Sequence, residues 1–222
     1  YDALLFIPSH IPYNLYSDSY ERGLQLYSKG IFIKDKCQEL IPDYLKFVKG
    51  LVDSGDFSLN ISREMLQQSP IMQKISENVE KKIVEKLKDI KKTDFDKYVT
   101  FWKSFGELVK YGIYSTYGAK KELLQDTLIF HSLNNEDKYI SLADYKEKMA
   151  KDQKYIYFVG GENLDAIKLL PQLEKYRKNN VDVLLLDQKI DEFAIMMLHD
   201  YDKVEFKSIS DESANEVSKE EQ

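Results

Sequence analysis

Ser69-Pro70, followed by Ile71, Ile75, Val79, Ile83 and Leu87, constrains this chain more than any other feature. A serine ahead of a proline starts a helix: the hydroxyl caps a free backbone N–H, and the ring is tolerated in the first turn. An apolar residue at every fourth position then makes one continuous stripe, which must be buried. The opposite face carries Glu77, Glu80, Lys81, Lys82, Glu85, Lys86 and Lys88. Ahead of this helix the pattern reads as strand. Leu4 to Ile7 is an apolar run stopped by Pro8, and Pro12 holds a loop. Leu24 to Tyr27 and Ile31 to Ile33 form a second strand region broken at Gly30, where a bulge or close backbone approach is expected. Leu45, Val48, Leu51 and Val52 behind Pro42 predict a short helix ending at Asp53 to Asp56.

Beyond residue 92, Thr93 and Asp96 resemble a cap for a helix carrying Tyr98, Phe101, Trp102, Phe105, Leu108 and Val109 and closing at Gly112. Ala119 to Phe130 reads as a third helix, so residues 70–130 are expected to be all-helical. His131 to Lys138 reads as a polar loop, and Ser141 to Asp144 as the cap of a short helix. Then come a strand at Tyr155 to Val159, a turn at Gly160-Gly161, and a helix capped by Asn163. Pro171 restarts helix as far as Asn179-Asn180. Val181 to Leu186 reads as a fully covered strand, Ile190 to Leu198 as helix, and Val204 to Lys207 as a last strand. Successive strand–helix units predict a small parallel sheet. The expected class is α/β with two separate cores. Residues 210–222 hold acids and serines without aromatics and are expected to be an unpacked tail.

Composition narrows the function. The 222 residues are 43% hydrophobic, which suits a real core, and carry a formal net charge of −6, which disfavours phosphate-neutralising nucleic-acid binding. Cys37 is the single cysteine and no apolar run approaches the ~18 residues of a membrane span, so a cytoplasmic protein off the membrane is expected. A start at Tyr1 inside a strand-like run suggests a piece of a longer protein without a signal peptide.

Few residues can carry chemistry. His10, His131 and His199 lack any metal-ligand spacing, so no metal site is expected, and Cys37 reads as a buried, inert thiol. The lysines of the 70–92 helix alternate with glutamates, which describes a solvated face. Gly160-Gly161-Glu162-Asn163 lies where a phosphate loop could, but it lacks the further glycine and the Gly-Lys-Ser/Thr of such loops, and Glu162 and Asp165 would repel phosphate. Arg63 differs. It is one of three arginines in a lysine-using chain, in a short polar segment with Gln67 one helical turn on and Asn60 just before it. A planar bidentate donor suits phosphate oxygens, and such a trio could orient a phosphate or an attacking water. The alternative is an ordinary arginine paired locally with Glu64 or a helix end.

Leu59-Asn60-Ile61-Ser62-Arg63-Glu64-Met65-Leu66-Gln67-Gln68 closely resembles the catalytic-loop signature of the Hsp90 chaperones. In order around it, Leu4 to Pro8, Pro12 to Leu15, Leu24 to Tyr27, Ile31 to Ile33, Leu40 to Leu45 and Val48 to Ser54 follow the family pattern. Tyr98 to Phe105, Ser141 to Tyr145, Tyr155 to Tyr157, Val183 to Leu185 and Ile190 to Glu192 continue it. Ser28-Lys29-Gly30 and the short 131–138 loop are similar to the bacterial, high-temperature protein G class.

The resemblance implies a middle domain in parts: a larger α-β-α segment over 1–92 with its loop near 57–69, a helical connector over 93–150, and a smaller α-β-α segment over 151–209. It implies a cytoplasmic, homodimeric, ATP-driven chaperone. ATP and Mg would be held by an N-terminal domain, and dimerisation would use a C-terminal domain. On the same resemblance Arg63 reaches the ATP γ-phosphate with Gln67 and Asn60 in support. The fragment alone is then inactive, and client proteins would meet exposed apolar residues. Phe32, Trp102, Met196 and Met197 are the candidates for that surface. Phe57-Ser58 stand where the family commonly has Leu-Pro, which removes a stiffening proline. The competing reading is an independent α/β ligand-binding domain or small enzyme built on the Gly160 turn.

Overall fold

The computed structural model describes residues 1–211, so positions 212–222 of the expected tail lie outside the described residues. The chain divides into two compact units, Tyr1–Val109 and a second that begins at Lys110.

In the first unit β1 (Asp2–Phe6), β2 (Leu24–Ser28), β3 (Ile31–Cys37) and β4 (Lys49–Asp53) form one sheet in the order β1-β4-β2-β3. β4 pairs antiparallel with β1 and parallel with β2. Gly30 is not a strand bulge. Lys29 at φ 52° and Gly30 at φ 76° form the tight turn of the β2–β3 hairpin, a backbone that suits the strand twist. The helix expected over 45–52 is also corrected: Asp43–Leu45 is a single 3-10 turn and Lys49–Asp53 an inner strand. Spacing of 3, 3 and 1 fits either structure over so short a run, and pairing on both sides decides it. Gly50, at φ 139°, lies so close to β1 that a Cβ would stand 2.0 Å from the Leu4 carbonyl oxygen.

Three helices follow: α1 (Arg63–Gln67), α2 (Pro70–Thr93) and α3 (Phe95–Ser115). The Ser69 hydroxyl accepts from Met72 N at 3.3 Å, and Ile75, Val79, Ile83 and Leu87 are buried as the stripe requires. Ile71 instead faces solvent and Met72 takes the inward place. The buried Glu80 of α2 accepts from the Tyr44 hydroxyl at 2.6 Å, and Phe47 stacks on Phe105 of α3 with centroids 4.6 Å apart. The 38–48 segment therefore packs against both helices. Asp94, not Thr93 with Asp96, caps α3, accepting from Lys97 N at 3.1 Å. Nor does α3 stop at Gly112. Its closing glycine is Gly118, at φ 77°, whose N–H donates to the Ile113 carbonyl at 3.0 Å.

The second unit takes the end of α3, then α4 (Lys121–Leu124), β5 (Ile129–Ser132), β6 (Asn135–Ser141), α5 (Leu142–Lys148) and β7 (Tyr155–Gly160). After these come α6 (Leu164–Lys168), α7 (Leu173–Lys178), β8 (Leu184–Leu186), α8 (Lys189–Leu198), β9 (Asp200–Tyr201) and β10 (Val204–Ser208). The sheet order is β6-β5-β8-β7-β10-β9, with β8, β7 and β10 parallel at its centre. Ile31 to Ile33 and Leu184 to Leu186 thus stand in different sheets. The helix expected over 119–130 shrinks to α4 and one 3-10 turn, and the expected loop at 131–138 is the β5–β6 hairpin. Residues 129–141, expected within a helical connector, are sheet. Ser141 and Asp144 close a reciprocal capping box, as their spacing predicts. Tyr157, Val159, Ile167, Leu173, Tyr176, Val183 and Leu185 share the core. Among the described residues no helix is long and apolar enough to cross a membrane.

Candidate functional site

The segment after β4 is built from short local contacts. The Asp53 carboxylate accepts from Gly30 N at 2.8 Å, and Ser54 N donates to the Tyr27 carbonyl at 3.0 Å. Phe57 is buried, and the buried Ser28 hydroxyl donates to its carbonyl at 2.7 Å. The buried ring and the held carbonyl anchor the backbone at Phe57. Ile61 N then donates to the Ser58 carbonyl at 3.2 Å, and the Ser62 hydroxyl caps α1 by accepting from Met65 N at 3.2 Å. Only Leu66 of α1 is buried, so the helix is fastened by one side chain and one cap.

That fastening leaves the polar residues outward. Asn60, Arg63 and Gln67 are all exposed, with Arg63 and Gln67 one turn apart on the same face of α1. Among the described residues the Arg63 guanidinium has no hydrogen-bond or ion-pair partner, and the local pairing with Glu64 does not form. Leu59 and Met65 are exposed beside it, two apolar neighbours that the sequence reading did not single out. The site can therefore offer a bidentate cationic donor to an anion, with the Gln67 amide one turn on.

The other candidates separate. Gly160-Gly161 is packed rather than open: a Cβ on Gly160 would lie 2.1 Å from Glu192 Oε1, and one on Gly161 2.5 Å from Ile167 Cγ1. Gly161 N donates to the Leu186 carbonyl at 3.2 Å and Asn163 caps α6. A carboxylate and a committed amide stand where a phosphate would need free donors. Among the described residues no group of three or more His, Cys, Asp and Glu is placed to hold a metal ion. Cys37 is buried, and burial, with the Glu39 carboxylate next, pushes its thiol up to about 12. An unreactive thiol is the result. On α2, Lys82–Glu85 and Lys86–Asp89 pair at 3.3 and 3.4 Å, as a solvated face should.

Of the apolar candidates, Phe32 is 51% exposed and Met196 61%, while Met197 is half-buried. Trp102 is buried and leaves the set. It lies over its own helix, where a Cβ on Gly106 would stand 2.6 Å from its ring. Phe193, 46% exposed and missed from sequence, packs its ring 5.3 Å from that of Tyr114, also at the surface. Ala194, Ile195 and Leu198 fill the buried side of α8, so Phe193, Met196 and Met197 make the helix apolar on its outer side too. These residues belong to the second unit and Arg63 to the first.

Comparison with known proteins agrees with this fold. The Hsp90 protein family model matches residues 1–222. The chaperone protein HtpG of Fusobacterium nucleatum is 50% identical over 210 residues, covering 95% of this chain and 34% of that protein. HtpG of Bacillus subtilis is 47% identical over the same length, covering 95% and 33%. The chain thus spans about a third of the length of the curated relatives it matches. A solved structure, the middle domain of a Plasmodium falciparum heat shock protein, superposes with a TM-score of 0.80 at 32% identity, covering 93% of this chain and 81% of that one. This chain belongs to the Hsp90 family and has the fold of its middle domain.

Proposed function

We propose that this middle domain completes an ATPase site held by a separate N-terminal domain, with Arg63 reaching the γ-phosphate and Gln67 and Asn60 as supporting donors. The observation that carries the reading is Arg63 itself: an exposed guanidinium, on a loop anchored at Phe57 and capped at Ser62, without a partner among the described residues. A fork of donors left unused by its own chain is suited to an incoming phosphate. ATP with Mg supplies the transferable phosphoryl group; this chain contributes a cation and polar side chains. The isolated fragment would not hydrolyse ATP. The exposed Phe32, Met196 and Phe193, with Met197, would meet unfolded client segments, for which unbranched methionine is an adaptable contact. The full-length protein would be a cytoplasmic homodimer joined through another domain.

Steady-state ATP hydrolysis and nucleotide affinity of full-length Arg63→Ala, Arg63→Lys and Gln67→Ala test this. Unchanged turnover in a folded Arg63→Ala protein would end the reading.

A further inference from the structure

We infer that the buried Lys110–Asp191 ion pair is a register lock that assembles the Tyr114–Phe193–Met196 face. Its proposed use rests on the client-surface reading above. Lys110 of α3 is 4% exposed and Asp191 of α8 is 1% exposed, with Nζ 2.5 Å from Oδ1. Nζ also donates to Gln188 Oε1 at 2.9 Å and lies 5.6 Å from the centre of the Phe130 ring. The second Asp191 oxygen accepts from Gln188 N at 3.0 Å, closing the capping box that starts α8. Lys110 Nζ and Asp191 Oδ2 are thus each hydrogen-bonded to Gln188, while Asp191 Oδ1 is held by the ion pair alone, where the two helices meet.

Burying two charges is costly, and apolar side chains of the same volume commonly hold helices as well or better. What apolar contacts leave loose is register, because sliding or rotating one helix on another keeps much of the buried area. A buried charge pair whose partners each also hydrogen-bond Gln188 keeps all three contacts in few arrangements, and fixing register is the best-attested use of such groups. Its position matters here. Tyr114 stands one turn beyond Lys110, and Phe193 two residues beyond Asp191. Their rings meet at 5.3 Å and 54°. Just past α3, a Cβ on Gly118 would stand 2.7 Å from the Met197 carbonyl oxygen, so this approach is also close. The rings are partly exposed, and contact between them is less directional than a charge pair, so it sets register less sharply. The pair beneath them fixes it.

The test uses the full-length protein with Lys110→Met and Asp191→Leu together, and Asp191→Asn as a second variant that keeps the cap oxygen. Register is read by a short bis-maleimide closing between cysteines at Tyr114→Cys and Phe193→Cys, with and without the lock. Surface use is read by binding of reduced, carboxymethylated α-lactalbumin. The lock predicts an unchanged or raised melting midpoint, slowed cross-linking, and α-lactalbumin binding weakened about fivefold. Folded variants that cross-link at the parental rate would overturn it. Should Phe193→Ala with Met196→Ala leave α-lactalbumin affinity untouched, the surface reading fails, and the cross-linking rate still decides the lock by itself.

Discussion

Two connections lead from a strand into a short helix, and they treat their polar groups in opposite ways. After β4, the chain from Ser54 to Arg63 pins its backbone with Ser28, Phe57 and Ser62 and leaves a guanidinium outward. After β7, Gly160-Gly161 brings the backbone in close, commits the Gly161 amide to Leu186, and seats the chain's own Glu192 carboxylate against the turn. Glycines in a strand-to-helix turn suggest a ligand loop, yet here they serve packing. The connection without glycine at its helix start keeps a donor unspent among the described residues. Position in the topology therefore does not by itself mark a ligand loop, since the Gly160 turn has its Gly161 amide already committed.

The largest expected effect separates the two connections outright. Full-length Arg63→Ala should lose about 10² to 10³ in ATP turnover with nucleotide affinity nearly intact, at or below the usual worth of an arginine finger. Arg63→Lys should rescue poorly, because a point charge lacks the bidentate fork. By contrast, the isolated 222-residue chain should show no saturable ATP binding in calorimetry. Binding abolished by Gly161→Ala would break the comparison by making the packed turn a ligand loop.

Next in size, Gly161→Ala should cost about 1–3 kcal/mol of stability by forcing a methyl group onto Ile167, read as a lower urea midpoint. Ser28→Ala should cost about 1–3 kcal/mol, since it leaves the buried Phe57 carbonyl unsatisfied. It should also lower full-length turnover, because the loop loses its anchor; a destabilised variant with parental turnover would show that the anchor does not position Arg63. The smallest effect is Ser62→Ala, about 1 kcal/mol from the lost cap of α1. Faster amide exchange at Met65 would report it, and unchanged exchange would mean that Leu66 alone holds the helix.

Much of this was legible in the residues because helix starts are local. Ser69-Pro70, Ser141 with Asp144, and Asn163 each act within one turn of themselves, and each caps the helix that its spacing predicts. The signature around Arg63 was legible for the same reason, as was the alternation that separates two sheets. Errors came where a few apolar residues fit two periods. Residues 45–52 and 119–130 read as helix until strand pairing and close backbone approach claimed Lys49–Asp53 and Ile129–Ser132.

Exposure was decided only by the tertiary structure. Trp102 and Phe193 are both large aromatics on amphipathic helices, and spacing ranks them alike. Trp102 folds over Gly106 and is buried, whereas Phe193 packs against the ring of Tyr114 and stays half in solvent. The sequence by itself determined where helices begin, which residue types surround Arg63 and that the chain is α/β, since these rest on contacts within a few residues. Which apolar faces remain uncovered, and that Arg63 keeps its donors free among the described residues while Gly161 spends its own, depended on segments distant in the chain. Such cover is a property of packing, because a side chain becomes buried only when another element arrives to exclude water from it.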